Sequence, residues 1–591
     1  MDTLNLGFFD ELKKPDQKGL LIGAAIGSVC AGYFIYRWYR SSKHRQNLNR
    51  KVKARLQIRA EQIERIRELT AKLDPELEER IASLGIRELL ECLKTGEVLC
   101  VDALKVYQKR SLRSQELTNC ITEYILEADA TAKEYDRLLA ENPEYETPPL
   151  FGLPISIKSN VSFKGRDQFK GYVQDLESPM ECDSVIVQHL QDLGAIPFVL
   201  TNVPQTLLTY SCENPVYGST SNPLSKNRTS GGSSGGEGAL IGTGGSLVGI
   251  GSDIGGSIRI PAAFCGIVGF KPCSRRISNA GAPGSVPGRS HVFGASGPMS
   301  ADVDGCVEIL RAFWSKRWIH NQDAYIAPLD FQEEMYQSTT SLRIGYFDTN
   351  GCIEPVPVMK RAVHETCQRL ERAGHQLIKF EPPTINRGFH LFMMAVTLDN
   401  GQWILNRWDR DLPVEGYDRM LMPLRWPFWF RRSLSYILRS INRRAADAIG
   451  NFHKSTHELL LVYEEIEKYW ITWKKVMKDQ NLDCFISPIF PVPAMTHKEP
   501  YKMTFNCSYT GLFNLLDYPA GTLPVTKVTE KDIEELNQYK PVDYFERLLL
   551  KSAKGTLGYS VGVQIVSLPY RDEMVLRVMH EVEDLIRNEK S

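Results

Sequence analysis

The sequence lacks any CxxC pair, and its thirteen cysteines are scattered from Cys30 to Cys507. An odd number of scattered cysteines argues against a disulfide framework. In a long chain they are typical of small buried apolar residues in a reducing compartment. We therefore do not expect a small secreted protein that depends on disulfides for its stability.

Net charge is also lacking, because 71 basic residues balance 71 acidic ones. Nucleic-acid binding requires a concentrated positive field, so no nucleic-acid partner is expected. The sequence shows no internal repeat and no low-complexity linker. With 42% hydrophobic and 24% charged residues, its composition is that of a globular protein with a large core.

One N-terminal segment has no charged residue at all. Residues 19–36 (GLLIGAAIGSVCAGYFIY) lie between Lys18 and Arg37. A helix of this length spans about 27 Å, close to the ~30 Å hydrocarbon core of a bilayer. We predict an N-terminal tail at 1–18 and a transmembrane helix at 19–39. A cleaved signal peptide is the alternative, but the preceding segment is long and contains acidic residues.

The charges beside this segment predict its orientation. Eight Lys and Arg residues follow it within 37–55, against three before it. Because the positive side tends to stay cytoplasmic, we expect the bulk of the chain to face the cytosol, on the endoplasmic reticulum or another endomembrane. Gly23, Gly27 and Ala31 repeat every fourth residue. This small-residue face supports helix pairing, and we predict a homodimer.

After residue 148, two sets of short apolar runs alternate with helical patterns. The first set is FGLPISIK and AIPFVLTN with the helical pattern SVIVQHLQDLG between them, and the second is DCFISPIFP, AGTLPVTKV and YSVGVQIVSLP. Such alternation is typical of an α/β sheet covered by helices. We predict a helical lead-in at 40–94 and one catalytic domain at 95–591. Both sets are expected in one large twisted mixed sheet with helices on both faces.

Glycine and serine are mixed in residues 231–257 (GGSSGGEGALIGTGGSLVGIGSDIGGS). Interleaved apolar residues argue against a flexible linker, and the absence of Gly-Lys-Ser/Thr argues against a phosphate-binding P-loop. A dinucleotide-binding pattern is weak here, because no strand–GxGxxG–helix with a later acidic residue is evident. The segment is better explained as a catalytic loop.

Glycines allow backbone N–H groups to approach a ligand closely. The consecutive N–H groups of 254–257 are candidates to bind one oxyanion, with Ser257 as a nucleophile. These candidate donors are Ile254, Gly255, Gly256 and Ser257. The nucleophile needs a base, which is either Lys158 at the end of PISIK or a histidine brought close by folding. Lys158 also has a simpler interpretation as a solvated strand end.

Residues 231–272 (GGSSGGEGALIGTGGSLVGIGSDIGGSIRIPAAFCGIVGFKP) resemble the signature of the amidase signature family. GLPISIK, NPVYGSTSNP (214–223) and DYPAGTLPVT (517–526) follow the order used in that family. The resemblance covers roughly residues 95–580. It implies the amidase-signature fold and hydrolysis of a carbon–nitrogen amide bond.

The same resemblance implies a Ser–cis-Ser–Lys catalytic set. By motif, Ser257 is the nucleophile, Ser233 is the bridging serine after a cis peptide bond, and Lys158 is the base. Neutral lysine takes a proton from Ser233, which takes one from Ser257. The family's oxyanion donors also fall on 254–257. No metal and no cofactor are expected.

Other positions are expected to shape the site without reacting. Asp253 and Arg259 flank the predicted nucleophile and are expected to hold its loop. The sequence departs from the family at Ser159, where an acidic residue is common, and at 168–179 (QFKGYVQDLESP), which replaces a small, polar stretch. Both departures are expected to affect the substrate pocket more than the reaction type.

A further segment combines aromatic residues with arginines. Residues 423–444 (PLRWPFWFRRSLSYILRSINRR) are typical of a helix lying in a membrane interface, although a core helix with a solvated edge is an alternative. We predict membrane-cap helices at about 417–450. The predicted membrane contacts are Trp426, Phe428, Trp429 and Phe430.

Within the family, a membrane span together with this signature resembles the animal members that act on fatty acid amides. That resemblance implies N-acylethanolamines and primary amides of long-chain fatty acids as substrates. It places Leu207 beside the bound head group. Leu208, Thr209, Ser252 and the 504–513 stretch are further pocket candidates.

Three alternatives stay open. The first is an amidase that acts on another small or lipid amide or ester, for example on glutamine for tRNA-bound transamidation. The second is a catalytically silent membrane scaffold, and the third is a Ser–His–Asp esterase. The membrane span argues against the glutamine enzyme, and intact Lys158, Ser233 and Ser257 argue against the scaffold. An esterase predicts loss of activity below about pH 6, whereas a lysine base predicts activity still rising above about pH 8.

Overall fold

The computed structural model describes residues 17–142, 144–315, 323–450, 453 and 455–589. The chain divides into two units, Met1–Ala54 and Arg55–Ser591. Helix α1 (Gln17–Thr70) begins in the first unit and ends in the second. The second unit contains the sheet and all the residues of the candidate site.

The predicted tail at 1–18 lies almost wholly outside the described residues. In the predicted transmembrane helix at 19–39 the backbone is helical, but the side chains of 17–27 and of several later positions lie outside what is described. Of the helices that are described, none combines the length and apolar character needed to cross a bilayer. The membrane span therefore stays a prediction.

The helices of the second unit cover and connect the strands. They are α2 (Pro75–Ser83), α3 (Ile86–Thr95), α4 (Cys100–Thr118), α5 (Ala128–Glu141), α6 (Val185–Asp192), α7 (Gly235–Gly242), α8 (Arg259–Cys265), α9 (Val303–Phe313), α10 (Glu333–Gln337), α11 (Pro357–Arg372), α12 (Ile385–Val396), α13 (Gln402–Trp408), α14 (Asp418–Arg425), α15 (Phe428–Leu438), α16 (Arg443–Gly450), α17 (Thr456–Asp479), α18 (Gly511–Leu515), α19 (Glu530–Gln538), α20 (Tyr544–Ala553) and α21 (Asp572–Asn588).

The strands are β1 (Ile121–Tyr124), β2 (Pro154–Lys158), β3 (Ile196–Thr201), the short β4 (Glu213–Asn214), β5 (Gly218–Ser219), β6 (Ser221–Asn222) and β7 (Ser225–Thr229), then β8 (Val248–Asp253), β9 (Val268–Lys271), β10 (Ala295–Ser300), β11 (Arg343–Tyr346), β12 (Gln376–Lys379), β13 (Cys484–Pro488), β14 (Ala520–Lys527) and β15 (Ser560–Ser567). The apolar runs of the sequence form β2, β3, β13, β14 and β15, and the other strands come from segments between them or before them.

Eleven of the described strands form one mixed sheet in the order β1-β3-β2-β8-β10-β9-β14-β15-β13-β11-β12. Both sets of predicted strands therefore share one sheet, which confirms that prediction. Along β13, Cys484 and Ile486 belong to one apolar cluster while Phe485 belongs to another. Because successive strand residues point to opposite faces, the two clusters lie on opposite sides of the sheet, and helices cover both.

Strands β2 and β8 position the site. They are parallel neighbours, with Ser156 beside Gly249, so their carboxyl ends lie at the same edge of the sheet. Lys158 ends β2 and Asp253 ends β8. Ligands of open α/β sheets bind outside such strand ends.

Candidate active site

Lys158 is fully buried at the end of β2, with no exposed surface. The interpretation as a solvated strand end is therefore wrong. Its Nζ donates to Ser233 Oγ at 2.8 Å and to Ser252 Oγ at 2.9 Å. A third, longer hydrogen bond of 3.3 Å reaches the Ser252 carbonyl oxygen. The strand thus directs the amine toward two serine side chains rather than toward solvent.

Burial changes the acid–base behaviour of this amine. Desolvation lowers the pKa of Lys158 to about 7, although Asp253 and Glu237 oppose that change. Because burial penalises the ammonium form, a large fraction of Lys158 is neutral near pH 7. The expected rise in activity above about pH 8 assumed an ordinary lysine, whose pKa is ~10.4. If Lys158 is the base, its pKa of about 7 instead predicts a rise in the neutral range.

Ser233 lies between β7 and α7, and the Gly232–Ser233 peptide bond is cis. The N–H of the next residue, Ser234, donates to the Ser257 carbonyl oxygen at 3.0 Å. This bond ties the two serine segments together. Ser257 is buried, with 8% of its surface exposed. Among the described residues no hydrogen bond joins the Ser233 and Ser257 hydroxyls; in ligand-free sites such bonds often tighten only with substrate.

The Asp253 carboxylate fixes the loop that carries Ser257. It accepts hydrogen bonds from the N–H of Gly256 at 2.7 Å and of Ile258 at 3.1 Å. Arg259 donates to the same carboxylate through Nε and Nη2, each at 3.0 Å. Burial opposes ionisation of Asp253, but Arg259 and these hydrogen bonds hold its pKa well below the usual range. The loop is therefore closed around an ionised carboxylate.

The backbone of 254–257 offers donors for an oxyanion, with one difference from the prediction. The N–H groups of Ile254, Gly255 and Ser257 donate to no acceptor among the described residues. That of Gly256 is already bonded to Asp253. Gly256 has φ +116°, and a Cβ there would overlap Thr510. Its contribution is therefore the turn itself, which only glycine adopts readily.

Two cavities meet at Ser257. The first, which we call the polar cavity, has a volume of about 430 Å³. Its wall contains Ser233, Ser252 and Ser257, and also the cations Lys170, Arg289 and Arg407. The Lys158 amine lies directly behind Ser233 and Ser252. This cavity thus joins the serine cluster to a positively charged wall.

The second, the apolar cavity, has a volume of about 440 Å³. Leu207, Ile254 and Ser257 lie in the walls of both cavities. The rest of its wall is mostly aliphatic and aromatic, and includes Leu208, Phe392, Met393, Val396, Leu421, Leu424 and Phe505. No histidine is found among the described residues that line either cavity. The Ser–His–Asp alternative therefore finds no base here.

The predicted pocket residues divide between these cavities. Leu207 contacts both, whereas Thr209 lies in the wall of the apolar cavity. Thr504, Phe505 and Cys507 bring the 504–513 stretch into that same wall. Ser252 instead lines the polar cavity and binds Lys158.

The predicted membrane-cap region, about 417–450, contains α14, α15 and α16. Trp429 and Phe430 are exposed, at 69% and 39% of their surface, whereas Trp426 and Phe428 are half-buried. Arg431 departs from the pattern expected of an arginine face, because it is buried. Leu421 and Leu424 of α14 reach the apolar cavity, so the exposed aromatic side chains lie close in sequence to its wall.

The sequence profile of the amidase family matches residues 102–576, which is most of the chain. The chain belongs to the amidase family. It is an enzyme that hydrolyses carbon–nitrogen amide bonds, and its large mixed sheet with covering helices is the amidase-signature fold.

Two curated amidases resemble this one over most of its length. Fatty acid amide hydrolase 1 of Caenorhabditis elegans is 41% identical over 552 residues, covering 91% of this chain and 96% of the relative. Fatty-acid amide hydrolase 1 of Sus scrofa is 38% identical over 518 residues, covering 87% and 88%. A solved structure of a fatty acid amide hydrolase superposes with a TM-score of 0.78 and 25% identity, covering 92% of this chain and 96% of that one.

Sequence reasoning missed three residues of this amidase's site. Glu237 of α7 is buried, accepts from Ser156 at 2.6 Å and from Thr201 at 2.7 Å, and lies close enough to Lys158 to affect its pKa. Lys170 and Arg289 belong to the polar cavity. The departure of 168–179 from the family pattern was a signal for Lys170, and none pointed to Arg289.

Proposed function

We propose that this amidase hydrolyses long-chain fatty acid amides, using Ser257 as the nucleophile, Ser233 as a bridge and Lys158 as the base. The observation that carries the proposal is the buried Lys158 amine bonded to Ser233, where a polar and an apolar cavity meet at Ser257. N-acylethanolamines and primary fatty amides are the proposed substrates. The products are a free fatty acid and an amine or ammonia.

The hydrogen bonds of Lys158 support the proton relay. A neutral amine has two N–H donors and one lone pair. The carbonyl and hydroxyl of Ser252 accept the two donors, and the lone pair then accepts the Ser233 proton. Ser233 in turn takes the proton of Ser257 as Ser257 attacks the amide carbon. The same path in reverse delivers a proton to the leaving amine, and water then hydrolyses the acyl-enzyme.

The walls of the apolar cavity support a lipid substrate. Each CH₂ moved from water into such a cavity contributes about 0.8 kcal/mol. A long acyl chain therefore gains more binding free energy here than a short one. The names of the relatives, two fatty acid amide hydrolases, favour the same class of substrate.

A membrane location is part of the proposal. The predicted span at 19–39 attaches the chain, and the exposed Trp429 and Phe430 lie on the bilayer interface. A lipid amide dissolved in the bilayer then meets the enzyme directly. Pairing of the span through its small residues makes the protein a homodimer, with the catalytic unit in the cytosol.

The test is a rate measurement on amides of increasing acyl length, in detergent, with Ser257→Ala as the blank. We expect kcat/KM to climb steeply with chain length and to vanish in the variant. If short amides are hydrolysed as well as long ones, the fatty-amide assignment fails while the amidase chemistry stands.

A further inference from the structure

The loop that carries Ser257 also contacts a segment far from it in the chain. Thr510 belongs to the predicted pocket stretch 504–513, and Asn514 lies in α18. Neither residue lines the polar or the apolar cavity, and both are fully buried. Their side chains therefore do not reach a substrate in either cavity. They contact instead the backbone that offers the candidate oxyanion donors.

Thr510 holds one peptide unit of this backbone. Its Oγ1 donates to the Gly255 carbonyl oxygen at 2.5 Å. A hydroxyl has a single proton, so the contact of 3.4 Å with the Cys507 carbonyl oxygen is secondary. The other end of the same unit, the Gly256 N–H, donates to the Asp253 carboxylate at 2.7 Å. Peptide unit 255–256 is thus bonded at both ends.

Asn514 holds a second peptide unit. Its Nδ2 donates to the Asp253 carbonyl oxygen at 3.1 Å and to the Phe293 carbonyl oxygen at 3.2 Å. Its Oδ1 accepts a hydrogen bond from Arg259 Nη2 at 2.8 Å. Two carbonyl acceptors on one side and a cationic donor on the other define the orientation of the amide. The donor that Asn514 presents to the loop is therefore fixed.

These two bonds determine where the neighbouring N–H groups point. A carbonyl and the N–H of the next residue belong to one planar unit, and in the trans form they point in opposite directions. The bond from Asn514 to the Asp253 carbonyl thus fixes the direction of the Ile254 N–H. The unit that supplies the Gly255 N–H lies between this unit and the one that Thr510 holds.

The third candidate donor is fixed by the turn itself. The Gly256 carbonyl accepts a hydrogen bond from the Ile260 N–H at 2.7 Å, and the Ser257 N–H is the other end of that unit. The first two donors have no such support within the turn. Glycine backbone is otherwise free to adopt many conformations, so their direction depends on the distant segment.

An oxyanion forms only while the nucleophile attacks. N–H groups that already point to its position stabilise the transition state without reorganising. We propose that Thr510 and Asn514 are positioning residues for amide hydrolysis. They hold the carbonyl ends of two peptide units, so that the N–H groups of Ile254 and Gly255 stay directed at the oxyanion. This inference rests on the proposed role of Ser257.

The test removes the Thr510 hydroxyl and measures kcat and KM separately on oleamide, with the full-length protein in detergent. Thr510→Val should lower kcat about 10- to 100-fold with little change in KM, because only the transition state uses the donors. Thr510→Ser keeps the donor and should keep most of kcat. Thr556→Val is the matched control. Thr556 is also buried and donates to the Ala553 carbonyl oxygen at 2.7 Å, but lies outside both cavity walls, so kcat should be retained.

A second measurement separates positioning from a general loss of structure. A long-chain trifluoromethyl ketone forms a tetrahedral oxyanion when a serine adds to it, whereas oleyl alcohol occupies an apolar cavity without reacting. In Thr510→Val the Ki of the ketone should rise by the factor by which kcat falls, and the Ki of the alcohol should stay the same. Asn514→Asp keeps the shape and an acceptor for Arg259 but cannot donate to the Asp253 carbonyl, and should show the same pattern.

The outcomes separate this inference from the proposed function. If Thr510→Val keeps kcat, if Thr510→Ser loses as much as Thr510→Val, or if ketone and alcohol weaken alike, the positioning role is wrong and the fatty amidase stands. Should Thr510→Val fail to fold, the same inhibitor comparison on Asn514→Asp decides. If Ser257→Ala keeps the wild-type rate, the proposed function itself fails.

Discussion

The two cavities that meet at Ser257 have nearly the same volume, 430 and 440 Å³, but their walls differ. Aliphatic and aromatic side chains from α12 and α14 line one, while serines and cations line the other. A hydrophobic wall gains free energy with every buried CH₂ but fixes no orientation. Hydrogen-bonding groups fix orientation and move protons. From this difference we expect the apolar cavity to bind the substrate and the polar cavity to carry out the chemistry, with Leu207, Ile254 and Ser257 where the two meet.

The largest expected effect comes from removing the hydroxyl of Ser257, one of the residues that line both cavities. Ser257→Ala should lower kcat/KM for every amide by at least about 10⁴-fold, because no nucleophile is left. Labelling by a serine-reactive fluorophosphonate should disappear in parallel. A residual rate that depends on chain length would show that another residue attacks the amide.

Lys158→Met should cost about 10²- to 10⁴-fold in kcat, since it removes the base while keeping an unbranched side chain in the buried position. KM for a long-chain amide should change little, because the apolar wall is intact. Lys226→Met replaces an exposed lysine and serves as the matched control. Equal effects of the two substitutions would contradict the relay.

Met393→Glu should impair the apolar cavity selectively, because it places a carboxylate in the wall of that cavity. Burial of that charge opposes binding of an acyl chain, so the ratio of kcat/KM for oleamide to that for butyramide should fall about 10- to 100-fold. Met393→Leu conserves volume and should keep the ratio. A loss on both amides alike would mean that the two cavities are not independent.

Trp429→Ser tests whether the cap next to the apolar cavity contacts the membrane. The substitution removes an exposed aromatic ring from the cap. Binding to phosphatidylcholine vesicles should weaken about tenfold, from the ~1.5 kcal/mol lower bound for burying a large apolar side chain. Tyr325→Ser is the control, because Tyr325 is 80% exposed and lies outside the cap. Sedimentation with vesicles measures both, and equal binding of the two variants would refute membrane contact through Trp429.

The smallest expected effect concerns the proton relay alone. The active form has neutral Lys158, so kcat/KM should rise with pH through about 7 and level off above it. Burial raises the pKa of Glu237 to about 7, so its charge is only partly present at this pH. Glu237→Gln removes that partial charge, which stabilises the ammonium form of Lys158, and the midpoint should therefore move slightly lower. A midpoint that moves upward would show that Glu237 does not act on Lys158 in this way. Long and short amides should share the midpoint.

The loop that carries Ser257 could be predicted from the sequence, because the residues that form it are contiguous in the chain. Residues 231–257 contain the serines, the glycines and Asp253 in one stretch, and strand β8 with its following loop forms from that stretch alone. Lys158 was ambiguous. Its burial depends on β3 and α7 covering β2, and both come later in the chain.

The polar cavity could not be found from sequence patterns. Lys170, Arg289 and Arg407 come from segments separated by more than one hundred residues, so no window contains two of them. Arg289 stands between Gly288 and Ser290 in a loop, and an arginine in such a position also looks solvated. Similarly, the 423–444 segment has the pattern of one interface helix, but α14 ends at Arg425, α15 begins after Pro427, and α16 begins at Arg443.

The meeting of both cavities at Ser257 has a consequence for the order in which products leave under the proposed mechanism. With the acyl group bonded to Ser257 and its chain in the apolar cavity, we expect the amine to depart through the polar cavity. The departed amine leaves room there for the attacking water. Small nucleophiles such as hydroxylamine use the same entrance, so they should compete with water for the acyl group and yield hydroxamic acids in proportion to their concentration. The kinetics should then be ping-pong, with the fatty acid as the last product released.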